Sequence, residues 1–374
     1  MNSDKPFVSI IVLNYNGKKW LKDCFESLEK LNYPKDKYEV IMGDNASTDD
    51  SVEYVKENFP EIRVLQFDKN YGFCKGNNLC AKEAKGEYSV FLNNDTFVEK
   101  EWLNELVIGV LSEENVISTV GKLLIPNLNN GERNIINAAG GVIFPDGCGL
   151  YEGFMQVDSD MYNKQKYTGF GCGAGVLVQK NFFIFTGGFD EYYFYTGEEN
   201  DLGFRVWSYG FKVMYVPSAI MYHYTGKTGS RGKGTTPMAE FIVTRNKLYF
   251  ILKNFDRWNM MKGIILHIFR SSAMIFYAIL HKNIHVPIGI MKSYFVILKD
   301  LKKIYKNRKI AQKNKKVQDK ELYKIGVIIN VKAWVKTYYD GLKNTRKVGW
   351  NVFDTKDSVK IKTNKDGEFI FYKN

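Results

Sequence analysis

The chain predicts a mostly parallel, doubly wound α/β sheet followed by a helical, basic extension. Three observations carry that prediction. Apolar, β-branched runs alternate with helix-period segments over the first hundred residues. Those runs end in turn-forming or polar clusters. After about residue 239 the strand signals stop and the chain turns helical and lysine-rich.

Residues 8–13 (Val-Ser-Ile-Ile-Val-Leu) read as a strand buried on both faces. The strand stops at the turn Asn14-Tyr15-Asn16-Gly17. Leu21, Cys24, Phe25 and Leu28 then fall at helical spacing, predicting a helix over 20–31. A second strand over 38–43 ends at Asp44, and Ser47-Thr48-Asp49-Asp50 signals a helix over 51–58. A third strand over 62–67 leads into a loop holding Asn70 and Gly72, where glycines 72 and 76 let backbone approach a ligand closely. A helix over 74–84 and a strand over 88–92 follow, the latter running into Asn93-Asn94-Asp95. In such sheets ligands sit outside the carboxyl ends of the strands. Three of those ends carry Asn14, Asp44 and Asn93-Asn94-Asp95. No G-x-G-x-x-G follows the first strand and no G-x-x-x-x-G-K-[ST] occurs, which argues against a dinucleotide fold and a P-loop. Residues 117–190 are irregular and rich in Gly, Asn and aromatics, a second half-sheet with long loops to shape an acceptor. Two short strands, 212–216 and 219–223, are expected around Pro217.

A length of 374 residues suits roughly two domains, and 45% apolar content supports a packed core. Five cysteines at spacings that fit no metal pattern read as reduced thiols. The N-terminus leads straight into a strand, predicting no secretory signal. The most apolar window, residues 260–280, contains Lys262, His267 and Arg270 and so reads as amphipathic rather than spanning. Its stripe, including Ile265, Phe269, Phe276 and Leu280, suits either core packing or an interfacial membrane face. The net charge of +12 is concentrated at 302–320, with nine basic residues against Asp319 alone. That run suits nucleic acid, an anionic lipid surface or a solvated helix face.

Two acidic clusters carry the chemistry. A carboxylate at the end of a buried strand, such as Asp95, can hold a divalent metal against a diphosphate. A second carboxylate can take a proton from a nucleophile. Glu198, Glu199 and Asp201 supply three candidates within four residues. Thr196-Gly-Glu-Glu199 also fits a capping box with Thr196 at the N-cap and Glu199 at N3. Asp201 and Arg205 are spaced to pair on a helix.

Residues 8–17, 43–49, 70–73 and 93–96 together resemble the N-terminal signature of family 2 glycosyltransferases. Residues 187–191 and 197–202 resemble that family's second signature, in the branch called rhamnosyltransferase-like. Residues 215–217, His223 and 244–248 fit that branch, and 334–343 resemble its C-terminal helix. The resemblance implies a GT-A fold, a nucleoside-diphosphate sugar donor, inversion at the anomeric carbon, and Mg²⁺ or Mn²⁺. It places Asn14, Asn16, Asp44, Asn70, Gly72, Asn77, Asn93 and Asn94 about the nucleotide sugar. It puts Asp95 at the metal-binding end of the D-x-D element, with His223 as a further ligand. Glu199 takes the position of the base, with Glu198 and Asp201 as alternatives. This chain departs from the pattern in two places. Asn93 replaces the first Asp of D-x-D, and Glu198-Glu199 replaces the usual Glu-Asp.

The expected organisation is a GT-A catalytic domain over 1–250 and a helical, basic region over 251–374. Within the first, 1–100 forms the nucleotide-sugar half and 101–250 the acceptor half. The expected activity is metal-dependent transfer of a sugar to a hydroxyl of a glycan or lipid-linked acceptor in cell-surface polysaccharide synthesis. A sugar-nucleotide-binding scaffold without turnover and a nucleotidyltransferase are the alternatives. No nucleic-acid partner is expected. The expected location is cytoplasmic, with peripheral attachment at the inner membrane face as a further expectation. Donor sugar and oligomeric state stay open.

Overall fold

The computed structural model describes residues 5–130, 133–224, 236–344, 360–363 and 369–372. The first elements are β1 (Val8–Asn14), α1 (Lys18–Glu29), β2 (Tyr38–Asp44), α2 (Ser51–Asn58), β3 (Arg63–Gln66), α3 (Gly72–Glu83), β4 (Tyr88–Asn93) and β5 (Thr96–Val98). There follow α4 (Trp102–Leu111), β6 (Val116–Asn130), β7 (Arg133–Ala138), β8 (Gly141–Ile143), β9 (Gly149–Tyr151), β10 (Lys166–Tyr167), β11 (Gly175–Gln179), α5 (Lys180–Phe185), α6 (Glu198–Ser208) and β12 (Lys212–His223). The rest is α7 (Pro237–Asn254), α8 (Arg257–Leu280), α9 (His285–Lys299), α10 (Leu301–Lys313), α11 (Asp319–Lys324), α12 (Val331–Asn344), β13 (Lys360–Thr363) and β14 (Phe369–Tyr372). The chain divides into two compact units, one of residues 1–141, 151–206 and 211–225, the other of 142–150, 207–210 and 226–374. The expected domain boundary at 250 therefore falls inside α7.

In the first unit a ten-stranded sheet runs β10-β12-β6-β11-β4-β1-β2-β3, with β5 added to β12 and β7 to β6. The β4-β1-β2-β3 half is parallel throughout. Next to it β11 runs antiparallel to both β4 and β6, and β6 with β12 is parallel again. Val8, Ile10, Ile11 and Val12 are fully buried, as a central strand covered by helices on both faces requires. Each such side chain stabilises by about 1.5–3 kcal/mol. Leu21, Cys24, Phe25 and Leu28 form the buried face of α1. All five cysteines are free thiols, three of them buried. One expectation is corrected: the two short strands around Pro217 are a single strand, β12. Its ladder with β6 shifts register between Val216 and Ile220, so Pro217 sits at an irregularity where no ladder donor is lost.

Register fixes the site's platform. Asn14 lies opposite Asp44 across β1 and β2, and Leu13 lies opposite Asn93 across β1 and β4. Three strands thus end within one residue of one another, each at a polar residue.

The second unit is mainly helical. At the start of α7 the Thr236 side chain accepts from Ala239 N at 3.1 Å, with Pro237 in the first turn. The far end of α7 is closed by α10 and its sequel. Arg308 donates to the carbonyls of Leu252 (2.8 Å) and Phe255 (2.7 Å), and Gln312 donates to that of Asn254 at 2.9 Å. Lys315 also reaches Asn254 O, at 3.2 Å, and pairs with Asp256 at 2.8 Å and with Asp319. Cations and donors at a helix C-terminus satisfy its orphan carbonyls and complement its dipole. Two members of the basic run, Arg308 and Lys315, are therefore structural rather than part of a solvated face.

Candidate active site

Asn14 is buried at the end of β1 and organises the strand ends. Its amide donates to Asp44 Oδ1 at 3.3 Å and Ser47 Oγ at 3.1 Å, and its Oδ1 accepts from Asn94 Nδ2 at 2.7 Å. Asp44 Oδ2 accepts from Ser47 N at 3.0 Å. This closeness depends on Gly17, where a Cβ would stand 2.1 Å from Asn94 Nδ2 and 2.6 Å from Asn14 Oδ1. Asn16 adopts φ 51° and caps the following turn, its Oδ1 accepting from Thr48 N at 2.7 Å. Tyr15 beside it is exposed. Asn45, inside the 43–49 signature, ties this platform to the next loop. Its amide donates to Gly72 O at 3.2 Å and its Oδ1 accepts from Tyr71 N at 3.2 Å. Asn70 Oδ1 accepts from Gly72 N at 2.8 Å. Gly72, at φ 75°, turns its Cα toward the Phe194 ring, 2.5 Å from where a Cβ would lie. Asn77 stands apart from this group: it is buried and donates to Phe73 O at 3.0 Å within its own helix.

Asp95 is nearly fully buried and its Oδ1 lies 3.1 Å from His223 Nε2. The two are brought together by pairing of β5 with β12, which sets His223 opposite Thr96, and by Tyr224 N donating to Asp95 O at 3.0 Å. On its other side His223 Nδ1 is 3.5 Å from Asn137 Oδ1. With the proton on Nδ1, the Nε2 lone pair and a carboxylate oxygen face one another. Such a pair of acceptors needs a proton or a cation between them. The 3.1 Å separation is that of an ordinary hydrogen bond, and with Nε2 unprotonated the same two atoms could hold a divalent cation. Among the described residues no group of three or more His, Cys, Asp and Glu side chains could hold a metal ion. Asn93, at the first position of the acidic motif, is half-buried; its carbonyl accepts from Thr96 Oγ1 at 2.5 Å.

The three carboxylates at the start of α6 have three environments. Asp201 is fully buried, accepts from Arg205 Nε at 2.8 Å, and Arg205 also donates to Thr186 and to Gly188 O. Glu198 is buried with Oε2 lacking a hydrogen-bond partner. Burial first, and then the neighbouring Glu199 charge, push its carboxyl well above the usual range. Glu199 is half-buried and held at both oxygens: Tyr151 Oη donates to Oε1 at 2.8 Å and Gly197 N to Oε2 at 3.0 Å. The second bond is a capping contact, but Gly197 rather than Thr196 is the N-cap, since Gly197 O accepts from Asp201 N at 3.1 Å. The expected capping box does not form there: Gly197 has no side-chain oxygen, and Glu199 supplies only the bond from the N-cap amide.

The segment 172–174 joins the two acidic clusters. Ala174 O accepts from Asn93 N at 3.0 Å, while a Cβ on Gly173 would touch Glu198 Oε1 and Glu199 Cβ, both at 3.8 Å. Burial first, and then the charges of Glu199 and Asp95, push the Cys172 thiol up to about 12. Tyr151 and Asn137 carried no sequence signal beyond their types. Only long-range contacts reveal them. Of the aromatics with stacking potential, Trp20 already stacks on Tyr224, ring centroids 4.8 Å apart.

Residues 9–181 match the family model Glycosyl transferase family 2. Over 100 residues, 26% of this chain, the sequence is 34% identical to the poly(ribitol-phosphate) beta-N-acetylglucosaminyltransferase TarS of Staphylococcus aureus (strain Mu50). That stretch covers 18% of TarS, so the chain spans less than a fifth of this relative's length. The structure of S. aureus TarS 1-349 in complex with UDP-GlcNAc superposes with a TM-score of 0.53 at 17% identity, covering 82% of this chain and 90% of the other. GalNAc-T7 with UDP, GalNAc and Mn2+ gives 0.54 at 17%, covering 68% and 49%. These likenesses show the fold, which is GT-A. The family match and the relative support a family 2 glycosyltransferase.

Proposed function

We propose that this chain is a family 2 glycosyltransferase of the rhamnosyltransferase-like branch, moving a sugar with inversion from a nucleoside-diphosphate donor to a hydroxyl of a glycan or lipid-linked acceptor. The observation that supports the reading is the segment 172–174, which bonds to Asn93, two residues before Asp95, and runs beside Glu199, so that the strand end carrying the Asp95–His223 pair and the start of α6 share one wall. A donor diphosphate needs the first; an attacking hydroxyl needs the second.

The nucleotide lies over the strand-end platform, with Asp44 offering a polar contact, the buried Asn14 holding it in place, and Tyr15 an exposed ring. Asn16, Asn70, Gly72, Asn93 and Asn94 border the same edge. Asp95 and His223 are the residues to hold a divalent ion, Mg²⁺ or Mn²⁺. When bound, it neutralises charge on the departing diphosphate. Glu199, fixed by Tyr151 and Gly197, accepts the proton of the acceptor hydroxyl. The acceptor oxygen bonds to C1 as the bond from C1 to the diphosphate oxygen breaks, and one in-line displacement inverts the centre. Asp201 is committed to Arg205 and Glu198 is held toward its protonated form, which leaves Glu199 as the base. Cell-surface glycan synthesis is the setting suggested by the similarity to TarS, a poly(ribitol-phosphate) beta-N-acetylglucosaminyltransferase.

The test is a thermal-shift screen of UDP-, GDP- and dTDP-sugars with Mn²⁺, followed by donor hydrolysis with and without the metal. A ligand that binds only the folded state raises its melting temperature by mass action. One donor raising the melting temperature and being turned over only with metal is the expected result. Binding without turnover would favour the scaffold reading, and no response to any sugar nucleotide would sink the proposal.

A further inference from the structure

Helix α8 is built inside out. Its buried face consists of Gly263, His267, Arg270, Ser271 and Ala278, with Arg270 paired to the buried Asp146 at 3.1 Å. Its opposite stripe, Ile265, Phe269, Phe276 and Leu280, is open to solvent, and α9 repeats this with Ile288, Met291, Phe295 and Leu298. All eight are between 48% and 70% exposed. The two helices meet through Ala278, Val286 and Ile290, so both open stripes belong to one helical hairpin. Trp258, at the start of α8, is 81% exposed. Apolar patches of this extent on a soluble surface mark an interaction site.

Charge identifies the occupant. No acidic residue occurs between Asp256 and Asp300. Lys292, Lys299, Lys302, Lys303, Lys306 and Lys309 are all exposed on the same helices and on α10 directly after them. A second copy docked about a two-fold axis would oppose this patch to itself and so set lysines against lysines. An anionic bilayer suits both features, taking the apolar stripe into the acyl boundary and the lysines among its headgroups. By length and composition α8 could cross a membrane. Its polar stripe, however, is packed on Asp146 of its own unit, which suits a helix lying in the interface.

We propose that the α8–α9 hairpin seats this protein on an anionic phospholipid surface, with its apolar stripes inserted and the lysines of α9 and α10 on the headgroups. The inference does not rest on the glycosyl-transfer reading, and its readout is independent of activity. Full-length protein is floated with phosphatidylcholine vesicles, with and without phosphatidylglycerol. Raising salt from about 0.1 M to about 1 M shortens the screening length from about 10 Å to about 3 Å. Binding to the phosphatidylglycerol vesicles should fall several-fold yet persist in part. Ile279→Glu with Leu280→Glu, at sites each 63% exposed, should abolish the part that persists at high salt. Lys302→Glu with Lys303→Glu and Lys306→Glu should remove the salt-sensitive part. Ile265→Ser with Phe269→Ser provides a second apolar test that adds no charge. Wild-type protein that stays free of phosphatidylglycerol vesicles at low salt overturns the proposal. So does an Ile279→Glu, Leu280→Glu variant that goes from dimer to monomer with vesicle binding unchanged, since the occupant would then be a second copy.

Discussion

At the end of β4, Asn94 and Asp95 are each tied to a residue on another strand, Asn14 and His223, and these ties draw distant segments to one point. At the start of α6, Glu198, Glu199 and Asp201 sit within one turn, yet their neighbours drive them apart in chemistry. One is neutralised by Arg205, one is pushed toward protonation, and one is held by a tyrosine hydroxyl and a backbone amide. Convergence builds the first cluster and differentiation the second. Carboxylates alike in sequence acquire separate roles from environment alone.

The comparison breaks most sharply at Asp95. Asp95→Ala should reduce metal-dependent transfer to background while the melting curve stays cooperative, because His223 alone is a weak site. Near-normal turnover at low Mn²⁺ would remove Asp95 from the role of ligand. Next comes Glu199→Gln, expected to lower kcat by about 10²–10⁴-fold with donor affinity little changed. A larger loss at Glu198→Gln would move the base by one residue. Arg205→Ala tests the structural carboxylate. Leaving Asp201 buried without its partner should cost about 3–5 kcal/mol of stability in denaturant titration. Tyr151→Phe removes one hydrogen bond to a charged group, worth about 1.5–3 kcal/mol, and should lower kcat about ten- to a hundredfold.

The smallest effect is the most specific to environment. Glu198 has a folded pKa raised above its ordinary 4.5, so the folded state binds the proton more tightly than the unfolded one. Its contribution is fully present below that ordinary value and is lost as pH rises toward the raised folded one. Glu198→Gln should therefore match wild type near pH 4.5 and gain relative stability as pH rises. The gain is bounded at about 1.4 kcal/mol per pH unit within that window. Melts across that range check it; a difference that does not vary with pH would contradict a carboxyl held protonated.

Most of the first half-sheet was legible because its signals are local. The helix at 51–58 begins and ends where its start signal and apolar spacing place it, and β1, β2 and β4 extend the expected strands by a single residue each. The pairing of Asp201 with Arg205 was legible for the same reason, since four residues apart on a helix is a neighbour. Where the reading failed, the deciding contact was remote. Pro217 looked like a strand break, yet β6 holds both sides of it in one ladder. Thr196 looked like an N-cap, yet the chain takes φ 61° there and 96° at Gly197, delaying the helix start.

By itself the sequence determined the order of strands and helices, the polar character of the strand ends, and the presence of two acidic clusters. These follow from side-chain periodicity and turn chemistry, which act over a few residues. The family resemblance already set His223 beside Asp95, whereas tertiary structure alone decided that Tyr151 reaches Glu199 from 48 residues away and that α8 turns its polar stripe inward. The reason is physical. The partner that satisfies a buried polar group, or leaves an apolar face uncovered, is set by which segments the sheet and helices bring together. Spacing along the chain carries no record of that.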